Sequence, residues 1–314
     1  MTQARIDFTD QTVIITGAGS GLGRTYALEI ARRGGNVVVN DLGGSVAGGG
    51  ASAESANAVV AEIRNNGGKA VASGDDVASP DGARRMIECA LDSFGRLDAV
   101  INNAGNMRAG PFETLTLDDL NALLAVHVGG AFNVTQAAWP HFKAQRGGRV
   151  VFTSSGAGIF GHLHLSAYGA AKGAVAGLMH VLAVEGEQHG ILCNAILPNA
   201  GTRMTAIFKD GDLGDNPWSA KLGSTFAPEF TTALTLYLAS QACQDSHGIY
   251  SAVGGRIGRA FIGVADGWQG SRQVPPSVEE IAANWDAIRD DCRGYSIPAS
   301  LPDESRVVVE ALGL

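Results

Sequence analysis

Tyr168 and Lys172 stand four residues apart, and Ser155 precedes the tyrosine by thirteen. In Ser166-Ala-Tyr-Gly-Ala-Ala-Lys-Gly-Ala-Val most residues are small or good helix formers, which predicts a helix carrying both side chains on one face. A free phenol titrates near ~10, too high for a brisk proton carrier at neutral pH, and a fixed ammonium beside it favours the phenolate. Ser155 closes the strand-like run Arg149-Val-Val-Phe-Thr-Ser-Ser, where a hydroxyl can hydrogen-bond a substrate oxygen and stabilise charge developing there. The three side chains would then converge on one carbinol or carbonyl, as an acid/base set for moving a hydride. Taken alone, a Tyr and a Lys at this spacing read as a solvated helix face, so the weight falls on the rest of the chain.

Short β-branched runs at 12–16, 37–40, 70–73, 99–102, 149–153 and 192–197 read as strands, with a seventh at 248–253. They alternate with helical patterns over 22–33, 53–66, 81–94, 117–144, 166–188 and 228–240. Such alternation predicts an α/β fold, a doubly wound (Rossmann) seven-stranded parallel sheet with helices on both faces. Residues 1–264 read as one domain. Residues 265–314, with a helix expected over 277–289, read as a C-terminal extension that packs on the body or on a neighbouring subunit.

After the first strand comes Thr16-Gly-Ala-Gly-Ser-Gly-Leu-Gly. Gly17, Gly19, Gly21 and Gly23 let the backbone pass close to a pyrophosphate, and Ser20 and Leu22 begin a helix whose amides face it. A plain strand-to-helix turn would use the same glycines. Asp41 ends the second strand, where a carboxylate accepts hydrogen bonds from both hydroxyls of an adenosine ribose and repels a 2′-phosphate. No Arg or Lys directly follows it, so the cofactor expected is NAD rather than NADP. The glycine-rich stretch 42–52 is either a flexible surface loop or a wrap around the adenosine.

A formal charge of −8 argues against nucleic acid or an anionic membrane as partner. Cys89, Cys193, Cys243 and Cys292 are widely spaced with no Cys-x-x-Cys pair, which predicts buried free thiols and no metal site. His162 and His164 alternate in a turn and read as surface or substrate-contact residues. No stretch approaches the ~20 apolar residues of a membrane span. The N-terminus lacks an apolar leader and the chain ends Ala-Leu-Gly-Leu without a Ser-Lys-Leu address, which predicts a cytoplasmic location.

Gly17/Gly21/Gly23, Asn102-Asn-Ala-Gly105, Ser155, Tyr168, Lys172 and Pro198-Asn199 together resemble the short-chain dehydrogenase/reductase family over about residues 8 to 255. The resemblance implies that Asp76 and Val77 face the adenine. It implies that Asn103, Ala104 and Gly105 pass under the cofactor riboses, Asn103 also bracing the central strands. Pro198, Asn199 and Thr202 would hold the nicotinamide end, and Tyr168 and Lys172 its ribose. Many members carry a catalytic asparagine where Ala125-Val-His-Val-Gly-Gly places His127, which would hold a relay water through its ring nitrogens or serve only as a satisfied core residue. Val38-Val-Asn-Asp-Leu-Gly-Gly44, Ala195-Ile-Leu-Pro-Asn-Ala-Gly-Thr-Arg-Met204 and Val253-Gly-Gly-Arg-Ile-Gly258 further resemble the (3R)-hydroxyacyl-CoA dehydrogenase units of the type 2 peroxisomal multifunctional enzymes. That likeness implies a (3R)-hydroxyacyl-CoA as substrate, met by cations such as Lys209, Lys221, Arg256 and Arg259. A steroid or terpenoid alcohol is the alternative, and a catalytically silent NAD-binding sensor the reading outside the class. A homodimer or homotetramer is implied as well.

Overall fold

The structure, a computed structural model, describes residues 5–201 and 219–311. Those up to Arg259 form one compact unit and those from Ala260 a second.

The first unit runs β1 (Thr12–Thr16), α1 (Gly21–Arg32), β2 (Asn36–Asn40), α2 (Glu54–Asn65), β3 (Lys69–Ser73), α3 (Pro80–Phe94) and β4 (Ala99–Asn102). It continues with α4 (Leu117–Leu124), α5 (Gly130–Gln145), β5 (Gly148–Thr153), α6 (Gly156–Ile159), α7 (Ser166–Gly186) and β6 (Ile191–Pro198). After the gap come α8 (Ser219–Leu222), α9 (Glu229–Ala239), β7 (Ile249–Val253) and β8 (Arg256–Ala260). The strands order as β3-β2-β1-β4-β5-β6-β7-β8. The six pairings from β3 to β7 are all parallel. Val13–Ile15, Val37–Val39 and Val100–Ile101 are wholly buried, as apolar runs in a sheet covered on both faces must be. The doubly wound sheet is the one expected, with β8 as an eighth strand. The two-residue Gly254-Gly255 link admits only a hairpin return, a connection too short for the crossovers that signal the other strands.

The strand order reverses where β1 meets β4, so the carboxyl ends of β1, β2, β4, β5 and β6 surround one crevice. The helix expected over 117–144 is not continuous. A five-residue π turn, Ala125–Gly129, separates α4 from α5. Such turns insert a residue without ending the helix and often lie at functional sites. Helical periodicity barely registers the insertion.

Residues Ser166–His189 form a helix of mean hydropathy 1.3, long and apolar enough to cross a membrane by length and composition, contrary to the expectation that no stretch reaches that measure. Its apolar character has a source in this fold: Ala171, Val175, Met179 and Ala183 are buried on a helix that packs against β5 and β6.

In the second unit β9 (Val264–Ala265) pairs antiparallel with β10 (Tyr295–Ser296), and Phe261 stacks on Tyr295 with centroids 5.7 Å apart. Between these strands lie α10 (Val278–Ala283), started by a reciprocal Ser277/Glu280 cap, and α11 (Trp285–Ile288); α12 (Leu301–Ala311) follows.

Candidate active site

The end of β1 and the end of β4 are locked together. Thr16 Oγ1 accepts hydrogen bonds from the amides of both Asn103 and Ala104 at 2.9 Å, and Asn103 Nδ2 donates to the carbonyls of Thr16 at 2.9 Å and Gly17 at 3.1 Å. Gly17 has φ +64, and a Cβ on it would lie 2.8 Å from Ala104 Cα, so neither the conformation nor the space admits a side chain. The first turn of α1 follows, with Ser20 as its N-cap, and its amide dipoles point toward the crevice. At the end of β2, Asp41 accepts from the amides of Gly19 at 2.8 Å and Gly43 at 2.7 Å, which fixes its carboxylate beside that turn.

These groups open on a cavity of about 930 Å³. Of the residues singled out in the sequence, its wall carries Gly17, Ser20, Gly21, Leu22, Asp41, Asp76, Val77, Asn103, Ala104, Gly105, Ser155, His162, Tyr168, Lys172, Pro198 and Asn199. Gly19 and Gly23 stand behind the wall, the first bonded to Asp41 and the second packed where α1 meets the Gly17 carbonyl. Thr202, Met204 and Lys209 lie outside the described residues.

At the other end of the cavity, Ser155 caps α6 by accepting from Ala157 N at 3.2 Å, while α7 buries both Tyr168 and Lys172. The solvated helix face is therefore ruled out: Lys172 is only 4% exposed. Its Nζ donates to Thr153 O at 2.7 Å and lies 5.7 Å from the centre of the Tyr168 ring. Burial pushes the Tyr168 phenol up to about 12, against which a hydrogen bond with Ser155 works. Burial likewise pushes the Lys172 ammonium down to about 7. The sequence leads one to expect a fixed cation lowering the phenol. In the protein alone, desolvation outweighs that attraction, and Lys172 is itself half-titrated near neutrality.

His127 occupies the π turn, 3% exposed, its ring edge-on to Tyr168 with centroids 5.5 Å apart. Its Nε2 lies 2.8 Å from Asn106 O and 3.3 Å from Asn106 N. The shorter contact favours Nε2–H donating to the carbonyl, which leaves Nδ1 as an acceptor. Desolvation first and the Lys172 charge second hold its pKa well below the ordinary value, so the ring is neutral. Nδ1 of His127, Oδ1 of Asn102 and Oγ1 of Thr153 are buried with no hydrogen-bond partner among the described residues. All three residues, with Lys172, line a second cavity of about 10 Å³, roughly the room one water needs. His127 lines this second cavity with Lys172 and is not on the wall of the main one.

Thr16 and Asn106 were not singled out, although one fastens the two turns and the other fastens His127. A threonine at a strand end carries no signal of that role, since its partners are more than 80 residues away. Of the thiols, Cys193 and Cys243 are buried and Cys292 is exposed. Asp290, Asp291 and Cys292 are the one trio of possible metal ligands close together among the described residues, and two of them are exposed.

A family model for short chain dehydrogenases matches residues 11–211. A putative short-chain type dehydrogenase/reductase of Mycobacterium tuberculosis is 42% identical over 281 residues, covering 90% of this chain and 94% of that protein. The peroxisomal multifunctional enzyme type 2 of Mus musculus is 39% identical over 312 residues; the match takes in 97% of this chain but only 40% of the mouse enzyme. The solved full-length peroxisomal multifunctional enzyme type 2 of Drosophila melanogaster superposes with TM-score 0.77 at 28% identity, covering 98% of this chain and 50% of that one.

Proposed function

The chain belongs to the short-chain dehydrogenase/reductase family, NAD(P)-using oxidoreductases that act on CH–OH groups, and from that premise we propose that it interconverts a (3R)-hydroxyacyl-CoA and its ketone with NAD. The observation that carries this reading is the single cavity with Asp41 and the α1 turn at one end and Ser155, Tyr168 and Lys172 at the other.

The donor set fits a dinucleotide. The backbone turn around Gly17 excludes side chains, the α1 amides suit a pyrophosphate, and the Asp41 carboxylate suits a ribose diol. Lys172 is the one Lys or Arg among the described residues of the cavity wall, so a 2′-phosphate would meet Asp41 with no cation to offset it. This supports NAD over NADP. When bound, the nicotinamide supplies the hydride acceptor.

Tyr168 removes the hydroxyl proton of the substrate, and Ser155, bonded to the phenol, orients the same oxygen. Lys172 in its neutral amine form, which a pKa of about 7 makes available near neutrality, accepts the proton and passes it onward. The small cavity behind it gives His127 Nδ1 the position of a water acceptor at the far end of that path.

The thioester is supported by similarity to the peroxisomal multifunctional enzymes over nearly the whole chain. Lys221, Arg256 and Arg259 are the described cations named for the coenzyme A phosphates, and none is on the cavity wall. That favours a second reading, an uncharged steroid or terpenoid alcohol. Oxidation of (3R)- and (3S)-hydroxyacyl-CoA, a 17β-hydroxysteroid and a terpenoid alcohol, each with NAD and NADP, separates them. Selective turnover of the (3R) thioester with NAD is the expected result, and activity confined to the alcohols would discard the thioester.

Val181 and Val184 on α7 and Phe132 on α5 are exposed, which supports a homodimer or homotetramer covering these faces. A monomeric mass by light scattering would refute it.

A further inference from the structure

Eleven residues with five glycines, Leu42 to Ser52, leave β2 immediately after Asp41. Composition alone makes this a flexible loop, yet it is closed at the neck and fastened at the tip. Ser52 N donates to Leu42 O at 2.8 Å, Ser45 N to Gly49 O at 2.7 Å and Gly48 N to Ser45 O at 2.9 Å, the self-bonded form of a compact Ω-type loop. At the tip, Met107 N donates to Val46 O at 2.9 Å, and Arg108, ion-paired with Asp119 of α4 at 2.7 Å, reaches Ala47 O at 3.4 Å.

These ties carry Val46 away from the ribose end. It packs in the apolar cluster of Met107, Leu165 and Tyr168, and it lines the same cavity as Ser155 and Tyr168. An adenosine wrap would not need its one large apolar tip residue in that cluster.

We infer that Val46 is a specificity-determining residue, an apolar wall that limits the bulk of the substrate beside the reacting carbon. The loop thus serves both ends of the cavity, Asp41 at its root and the substrate at its tip. This rests on the reading above that the reacting carbinol sits at Ser155 and Tyr168.

The test compares the wild type with V46A and V46F on (3R)-hydroxyacyl-CoA thioesters graded in size next to the carbinol, and on terpenoid and steroid alcohols graded likewise. The readout is the ratio of kcat/KM for the bulkiest to the slimmest substrate, with the NADH dissociation constant measured separately. One methylene in an apolar pocket discriminates by roughly 10- to 200-fold, so V46A should raise the ratio about tenfold or more and V46F lower it by a similar factor. The NADH dissociation constant should stay within about twofold. D119N keeps Val46 but cuts one tether, and should shift the ratio in the direction of V46A. An unchanged ratio with weaker NADH binding would overturn the inference and leave the loop an adenosine wrap. Wild-type failure on every thioester would discard the proposed substrate alone, and the ratio would be read on the alcohols. Failure on both series would overturn both.

Discussion

The two ends of the cavity are built from different materials. At the Asp41 end the groups facing the ligand are largely backbone: the Gly17 turn, the first amides of α1, and a carboxylate held by two main-chain amides. The carboxylate already has its partners in the protein alone, and the α1 amides stay open toward the crevice. At the Tyr168 end they are side chains that desolvation has pushed out of their ordinary state, with a phenol raised, an ammonium lowered and three buried polar atoms lacking protein partners. A binding end can be made of groups at rest. A reacting end holds groups under electrostatic tension, because a proton moves readily only between groups whose charged and neutral forms lie close in free energy.

Removing the phenol should break the contrast most sharply. Y168F should cut turnover by at least ~10²- to 10⁴-fold while NADH binding, followed by its fluorescence, changes little. Appreciable residual activity would sink the assignment.

Lys172 tests the tension itself. Its proton stays on up to 10.5 in the unfolded chain but only to about 7 in the folded protein, so between those values unfolding takes up a proton and stability rises with pH. Below about 7 the whole cost is present, on the order of 5 kcal/mol. K172M should therefore abolish most activity yet raise Tm, most at pH 6 and hardly at all near pH 10.5. A lowered Tm at pH 6 would show that the buried ammonium stabilises the fold.

Replacing Asp41 acts on the resting end. D41A should raise KM for NAD roughly ten- to a hundredfold, the scale of a hydrogen bond to a charged group, and narrow the preference for NAD over NADP with kcat little changed. Steady-state kinetics with both cofactors decides it.

A side chain at Gly105 would enter the imidazole of His127, so G105A joins the two ends by force. A destabilisation of about 1–3 kcal/mol, typical of overpacking, is expected in urea, together with a loss in kcat.

The smallest effect concerns His127. Its folded pKa is depressed, so the unfolded chain binds the extra proton first as pH falls through 6.5, and stability is lost below that value. His180 and His247, hydrogen-bonded to each other at 2.9 Å and both depressed, act in the same sense. H127N should flatten the fall of stability between pH 6 and 5 by up to about 1.4 kcal/mol per pH unit, measured by urea unfolding.

The resting end was legible almost residue by residue. Strand ends, the glycine turn and Asp41 are local patterns, and β1, β2 and β4 lie within a residue of where β-branching places them. The spacing of Ser155, Tyr168 and Lys172 was legible too, since one strand end and one helix face set it. The His127 geometry was less so: the π turn that aims the ring disturbs a helical pattern by one residue, and the Asn106 bond that holds it spans 21 positions.

By itself the sequence pointed to a doubly wound sheet, a glycine turn after the first strand and Ser155, Tyr168 and Lys172 as candidates for one site, through periodicity, short spacing and family resemblance taken together. Only the tertiary structure decided the direction in which the phenol and ammonium are pushed, the tie of Thr16 to Asn103 across 87 residues, and the seat of Val46 against the cluster that holds Tyr168. Desolvation and long-range contact depend on what the rest of the chain places around a group, and no local pattern carries that information.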